Sequence, residues 1–292
     1  MFRGTFTALV TPFRDGAIDP AAFEKLIESQ IAAGITGVVG VGTTGESPTL
    51  SHDERERVIQ LTVKIANKRC QVLAGTGSNS TQHALVDTKA AEKLGVDGAL
   101  IVAPYYNKPS QEGLFRHFKT IAGATSLPIM LYNIPGRCGV DIGADTVVRL
   151  ATECRNIVSI KEASGSVERV SELRRRLPES FTILSGDDSL TLPFMSAGAA
   201  GVVSVASNLF PAEISGLVKA FESGDMKAAE KQHRKMFALL KDLFIEPNPV
   251  PVKTALSWRG AMSSEVRLPL CEMTEANQAR LRKTIEEFEK AK

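Results

Sequence analysis

Residues 37–50 read GVVGVGTTGESPTL, and inside them Gly40, Gly42 and Gly45 spell G-x-G-x-x-G. How that loop is read decides the fold. In a dinucleotide-binding fold the third glycine opens a helix whose N-terminus faces the pyrophosphate, and an acid about 20 residues on ends the next strand. Here Gly45 is followed by Glu46, Ser47 and Pro48, and the next helix waits until about Ser51. Ser51-His52-Asp53-Glu54 is a capping-box pattern, and Val58, Leu61 and Ile65 continue it along one face. The region where the acid belongs reads RVIQLTV (57–63), the middle of that helix. The dinucleotide reading therefore fails on context, and no cofactor is expected. No G-x-x-x-x-G-K-[ST] occurs either, which removes a P-loop. What remains is a short apolar strand ending in Gly, Thr, Thr and Gly, a good cradle for some other anion.

Outward from this stretch the same unit recurs. Short apolar runs lie at FTALVTPF (6–13), GVVGVG (37–42), QVLAGTG (71–77), GALIVAPYY (98–106), PIMLYNIP (128–135), IVSIKEAS (157–164), FTILSGDD (181–188) and GVVSVASN (201–208). Each ends in a loop rich in Gly, Pro, Asn, Ser or Thr, and helix-like segments separate them. Leu114, Phe118 and Ile121 mark one such helix; Pro211 opens another, carrying Leu217, Ala220 and Phe221. Runs apolar on both faces imply strands covered on both sides, hence a parallel sheet with crossover helices. Eight units over about 220 residues fit a (β/α)8 TIM barrel better than a doubly wound sheet. After Gly224 the strand signal stops. Residues 225–292 are expected to be a C-terminal three-helix appendage, broken at EPNPVP (246–251) and near RLPL (267–270), and residues 1–224 the catalytic barrel.

Composition narrows the function classes. The chain has 292 residues, 43% hydrophobic and 23% charged, enough for a large core without metal or disulfide staples. Formal net charge is +2 with scattered Lys and Arg, so no nucleic acid partner is expected. The basic run Arg174-Arg175-Arg176 reads as a solvated helix end. No run is apolar and long enough to span a bilayer, and Cys70, Cys138, Cys154 and Cys271 lie far apart without a C-x-x-C pair. A cytoplasmic protein with free thiols is the expectation. His52, His83, His117 and His233 lack paired spacing, so no metal site is expected. No G-x-S-x-G occurs.

The strand ends carry the candidate chemistry. The sixth run places Lys161 at the end of an otherwise apolar strand. Burial there disfavours the ammonium, and a neutral amine can attack a ketone to form a Schiff base. A snorkelling lysine paired with Glu162 is the competing reading. The fifth run ends Tyr132-Asn133-Ile134-Pro135-Gly136-Arg137, putting a phenol across the mouth from Lys161 and a guanidinium suited to a carboxylate on the loop. The fourth run adds Tyr105 and Tyr106, so all three tyrosines fall in two strand-end loops. Asp187-Asp188 after the seventh run reads as loop and helix start.

These residues resemble the pyruvate-dependent class I aldolases and lyases of the dihydrodipicolinate synthase / N-acetylneuraminate lyase superfamily. The resemblance spans essentially the whole chain, through GTTGES, APYYNKPSQEGLFRHF, LYNIPGR, SIKEASG, LSGDDSLTLPFM and FIEPNPVPVKTAL. It is greatest with the dihydrodipicolinate synthase branch. That resemblance implies a Schiff base between pyruvate and Lys161, whose enamine attacks aspartate semialdehyde. It implies a proton relay of Tyr132, Thr44 and Tyr106, the last given by a neighbouring subunit. It also implies that Thr43 and Thr44 hold the pyruvate carboxylate, that Arg137 binds the second substrate, and that Gly186 and Val203 line the pocket with backbone groups. A homotetramer, a dimer of dimers, is the usual assembly. Arg137 argues against a sister lyase acting on a sugar acid, and an intact lysine and tyrosine argue against a non-catalytic binding barrel. Cys138 departs from the more usual Ser or Thr. Ser47, His52, Asn79 and Tyr105 match the pattern of the branch inhibited by lysine. Pro48, Arg55 and His83 depart from it by removing a carboxylate and adding a cation, so weak or absent lysine inhibition is expected.

Overall fold

The computed structural model describes residues 2–291. Eight parallel strands close into a barrel: β1 (Gly4–Ala8), β2 (Gly37–Gly40), β3 (Gln71–Gly75), β4 (Gly98–Val102), β5 (Ile129–Asn133), β6 (Ile157–Glu162), β7 (Thr182–Ser185) and β8 (Gly201–Ser204). Each pairs with the next, and β8 closes on β1 with Phe6 opposite Val203. At this seam a Cβ on Gly201 would lie 1.9 Å from the Gly4 carbonyl oxygen, and its φ is +140°, so only glycine lets the two strands meet. β1 starts and ends earlier than the first apolar run suggests. Leu9–Pro12 leave the sheet, and a two-stranded hairpin (Phe13–Arg14 with Ala17–Ile18) turns at Asp15-Gly16, both at positive φ.

The helices follow as α1 (Pro20–Ala32), α2 (His52–Ala66), α3 (Thr81–Lys93), α4 (Gln111–Ala122), α5 (Ala144–Glu153), α6 (Val167–Arg176), α7 (Thr191–Ser196) and α8 (Pro211–Glu222). Strand-end loops recurrently hand over to these helices through a side-chain cap. Asp19, Ser51, Ser80, Ser110 and Ser166 each accept an amide proton from the first turn, and Ser51 and Glu54 complete the capping box. The basic run ends α6 but is not simply solvated: Arg174 donates to the carbonyls of Leu177, Pro178 and Phe181, and Arg176 pairs with Asp145 and Glu172.

Strand alternation sorts the apolar side chains into two cores. Phe6, Val39, Leu73, Leu100, Met130 and Val203 fill the barrel interior. The other face of the strands packs against the helix ring in a second, larger cluster that runs on into the C-terminal helices. Those are α9 (Met226–Asp242), α10 (Val250–Trp258) and α11 (Glu275–Lys290), and α9 packs on α8 and α11. Because Leu239, Val252 and Leu281 share the outer core with the barrel, the appendage is part of the same packed body. No helix of the described residues is long and apolar enough to cross a membrane.

Candidate active site

Lys161 occupies the fifth of six positions in β6 and is 5% exposed. Period-two alternation turns it into the barrel and sends its neighbour Glu162 outward. Glu162 there accepts from Arg169 (2.7 Å), the Ser164 amide (2.8 Å) and Asn133 Nδ2 (3.0 Å). The Lys161–Glu162 pairing left open by the sequence is therefore not formed. Asn133 also reaches Asp141 (2.7 Å) and accepts from the Ile142 amide, so the outer ends of β5 and β6 are clamped together.

That clamp fixes the inner pair. Tyr132 and Lys161 are register partners on adjacent strands, and Lys161 Nζ stands 4.1 Å from the centre of the Tyr132 ring. The phenol is thus beside the lysine rather than across the mouth from it. Burial pushes the Lys161 ammonium down to about 7; the Asp188 carboxylate opposes that shift and Arg137 adds to it. Burial pushes the Tyr132 phenol up to about 12, opposed by Arg137 and by a hydrogen bond from Thr43. The site therefore presents an amine largely neutral above neutral pH beside a phenol that keeps its proton.

The Gly-Thr-Thr-Gly loop lies over the end of β2. Val41 and Glu46 are both in the left-handed region, at φ 57° and 55°, and bracket it. For a β-branched residue such as Val41 this is strained backbone, sustained by the surrounding packing. The amides of Gly45, Glu46 and Ser47 turn inward to loop carbonyls, whereas those of Thr43 and Thr44 donate to no partner among the described residues. Thr44 is buried, and its Oγ1 takes a hydrogen bond from Asn248 Nδ2 at 2.9 Å. Beneath the loop Glu46 meets Lys253 Nζ at 2.7 Å, both almost wholly buried, and also accepts from the Arg267 amide. Thr43, Ser47, Arg55, Tyr105, Arg137 and Cys138 line a cleft of about 200 Å³ outside this loop. A smaller space of about 30 Å³ under it reaches Tyr132. Arg137 is exposed on a short helical turn (Pro135–Cys138), while the Cys138 thiol bonds to the Ala103 carbonyl and is pushed by burial up to about 11.

Gly186 follows β7 directly against the lysine stem, where a Cβ would fall 2.9 Å from Lys161 Cε. Val203 packs in the barrel interior with Tyr132. Tyr106 stands apart, 89% exposed and at φ 74°, projecting away from its own barrel. An adjoining cavity of about 400 Å³, sharing Arg55 and Tyr105 with the cleft, gathers them with His52, Asn79, His83 and Asp87. Ser47 joins it through its carbonyl, which accepts from Arg55; Arg55 also pairs with Asp87 at 2.9 Å.

Two groups act at the site from positions whose local sequence does not show it. Asp187 is the expected cap, accepting from the Ser189 amide, but Asp188 is 1% exposed and accepts from the Val205 and Ala206 amides. Its carboxylate is the chief influence holding Lys161 from falling further. Asn248 lies 204 residues from Thr44, a separation no local pattern reveals.

The sequence model of the Dihydrodipicolinate synthetase family matches residues 1–288. The chain belongs to that family. A 4-hydroxy-tetrahydrodipicolinate synthase of Endomicrobium trichonymphae is 52% identical over 288 residues, covering 99% of each chain. The solved 4-hydroxy-tetrahydrodipicolinate synthase of Methylacidiphilum fumariolicum SolV superposes with a TM-score of 0.99 at 56% identity, over 99% of this chain and 97% of that one. A synthase of the same family from Cyanidioschyzon merolae, solved with lysine bound, gives a TM-score of 0.96 at 42% identity, over 99% and 98%. Against these relatives the sugar-acid alternative falls away.

Proposed function

We propose that this chain is a lyase that condenses pyruvate with L-aspartate 4-semialdehyde through a Schiff base on Lys161, the activity of a 4-hydroxy-tetrahydrodipicolinate synthase in lysine and diaminopimelate biosynthesis. The observation that carries the reading is a buried, largely neutral lysine lying over the ring of a phenol that keeps its proton, near a loop whose Thr43 and Thr44 amides have no partner among the described residues. The Lys161 amine adds to the pyruvate ketone, and loss of water gives the imine. Loss of a methyl proton gives the enamine, whose terminal carbon forms a bond to the aldehyde carbon of the second substrate. That substrate's own amine then attacks the imine carbon and displaces Lys161, closing the ring and freeing the enzyme. One water leaves over the cycle.

Tyr132 supplies and recovers protons at the carbinolamine, with Thr44 and a neighbour's Tyr106 extending the relay. The free amides and hydroxyls of Thr43 and Thr44 suit the pyruvate carboxylate, and Gly186 and Val203 bound the pocket at β7 and β8. Arg137, exposed at the cleft, suits the second substrate's carboxylate. Tyr106 is too exposed to serve its own barrel, which supports a dimer as the working unit and a homotetramer built from two such dimers. Within this reading residues 1–224 are the catalytic barrel and 225–292 a helical region that braces its loop. Four unpaired thiols favour a reducing, cytoplasmic setting.

The test is pyruvate consumption with aspartate semialdehyde, in wild type and Arg137→Ala together. Robust turnover that collapses in the variant supports the acceptor and the arginine's role. A folded wild type inactive with this aldehyde would move the reading to a sugar-acid lyase with the same lysine.

A further inference from the structure

Two threonines beside the Gly-Thr-Thr-Gly loop, the buried Thr11 and the half-buried Thr49, spend their hydroxyl protons on carbonyls of the loop and its flank. Thr11 Oγ1 donates to the Gly45 carbonyl at 2.8 Å, and Thr49 Oγ1 donates to the Glu46 carbonyl at 3.1 Å. A hydroxyl so used is a structural brace and has no proton left to pass on. Thr44 differs from both. Its oxygen is met by Asn248 Nδ2 at 2.9 Å, and an amide NH2 can only donate. The Thr44 oxygen is therefore an acceptor in this bond, and its single proton remains available in another direction.

Asn248 is itself 6% exposed, between α9 and α10, and its Oδ1 has no partner among the described residues. A buried unsatisfied acceptor is costly, and it is tolerated here while the other end of the amide serves Thr44. The reverse orientation would place an acceptor on Thr44 and consume its proton. Nearby, the buried Lys253 ties α10 to the loop through Glu46 and the Thr11 carbonyl, so amide and hydroxyl are held at fixed separation.

We infer that Asn248 is a positioning residue for turnover: it sets the polarity of the Thr44 hydroxyl so that its proton faces the reacting centre instead of the loop. The inference rests on the reading of Thr44 as a relay member. It gives the C-terminal helical region a role in proton transfer rather than in support alone.

The experiment is a double-mutant cycle on the full-length enzyme with Thr44→Val, Asn248→Ala and their combination, with Asn248→Asp as a near-isosteric variant that only accepts. Active sites are counted by borohydride trapping of the pyruvate adduct on Lys161, so that poorly folded protein does not count as slow enzyme. Thr44→Val is expected to lower kcat per trapped site by about 100-fold or more, the scale of a positioned proton-transfer group, and Asn248→Ala by no more than that. In Asn248→Ala the pyruvate KM should change far less. Asn248→Asp should be at least as slow as Asn248→Ala, and the double variant no slower than Thr44→Val alone. A slow Thr44→Val with an unaffected Asn248→Ala would overturn the role of Asn248 and leave the relay intact. So would losses that multiply in the double variant. An unaffected Thr44→Val would overturn the relay reading and this inference with it.

Discussion

The pH at which the enzyme begins to form its imine is a sharp test of the site's electrostatics. The Lys161 ammonium is held at about 7 against an ordinary 10.5, chiefly by burial. The difference corresponds to about 5 kcal/mol favouring the neutral amine. At pH 7.5 roughly three quarters of the sites then carry the nucleophile, where an exposed lysine would offer about 0.1%. The assay mixes enzyme and pyruvate across a pH series, quenches aliquots into borohydride at one fixed pH, and reads the initial rate of adduct formation by intact-protein mass. The acid limb should rise through about 7. Two substitutions should move it in opposite directions. Asp188→Asn removes the carboxylate that favours the ammonium, so the limb moves to lower pH. Arg137→Ala removes a cation that disfavours it, so the limb moves to higher pH. The second movement should be the smaller, because Arg137 is exposed and its field is screened by solvent and salt. A limb that stayed above pH 9 in the wild type would refute the claim that burial activates this lysine. Movements of the same sign in the two variants would refute the account of its neighbours.

The same titration bears on stability. Between about 7 and 10.5 the unfolded chain holds a proton that the folded chain lacks, so the cost of burying the ammonium is complete below about 7 and fades as pH rises toward 10.5. Lys161→Met should therefore raise the unfolding temperature more at pH 6 than at pH 10, and an equal gain at both would count against the buried charge. Gly186→Ala forces a Cβ to within 2.9 Å of Lys161 Cε and 2.8 Å of Ala163 Cβ; we expect a cost of about 1–3 kcal/mol in denaturant unfolding together with slower imine trapping. Lys253→Met leaves Glu46 buried and unpaired and should cost about 3–5 kcal/mol, much of it recovered in Lys253→Met/Glu46→Gln. If the double variant were as unstable as the single, the pair would not be the source of the penalty. Micromolar lysine should leave turnover unchanged, because the Asp87 carboxylate in the 400 Å³ cavity is already committed to Arg55; strong inhibition would show that an ammonium can still displace it.

Periodicity made the barrel legible because each of its strands is short, largely apolar and followed by a helix, so the signal repeats eight times. The edges of the pattern were less legible where tertiary contacts decide them. The first strand stops at Ala8 although apolar residues continue, because Leu9, Val10 and Phe13 pack into the outer core instead. At the site, what sequence shows is which residue ends a strand. Alternation then dictates that Lys161 faces inward and Glu162 outward, so the pairing of sequence neighbours is the one contact a strand forbids. Groups that act on Lys161 and Thr44 from other parts of the chain leave no local trace. Asp188 looks like half of a helix cap because Asp187, beside it, is one; only the closing of β7 against β8 brings the Val205 and Ala206 amides to its carboxylate and buries it. Asn248 sits between two prolines after a long helix, where composition reads as a loop. Its role exists only because α10 returns across the barrel mouth and anchors Lys253 under Glu46. The proposed reacting groups lie at the strand ends, and the groups proposed to set their protons lie wherever the fold comes back to them.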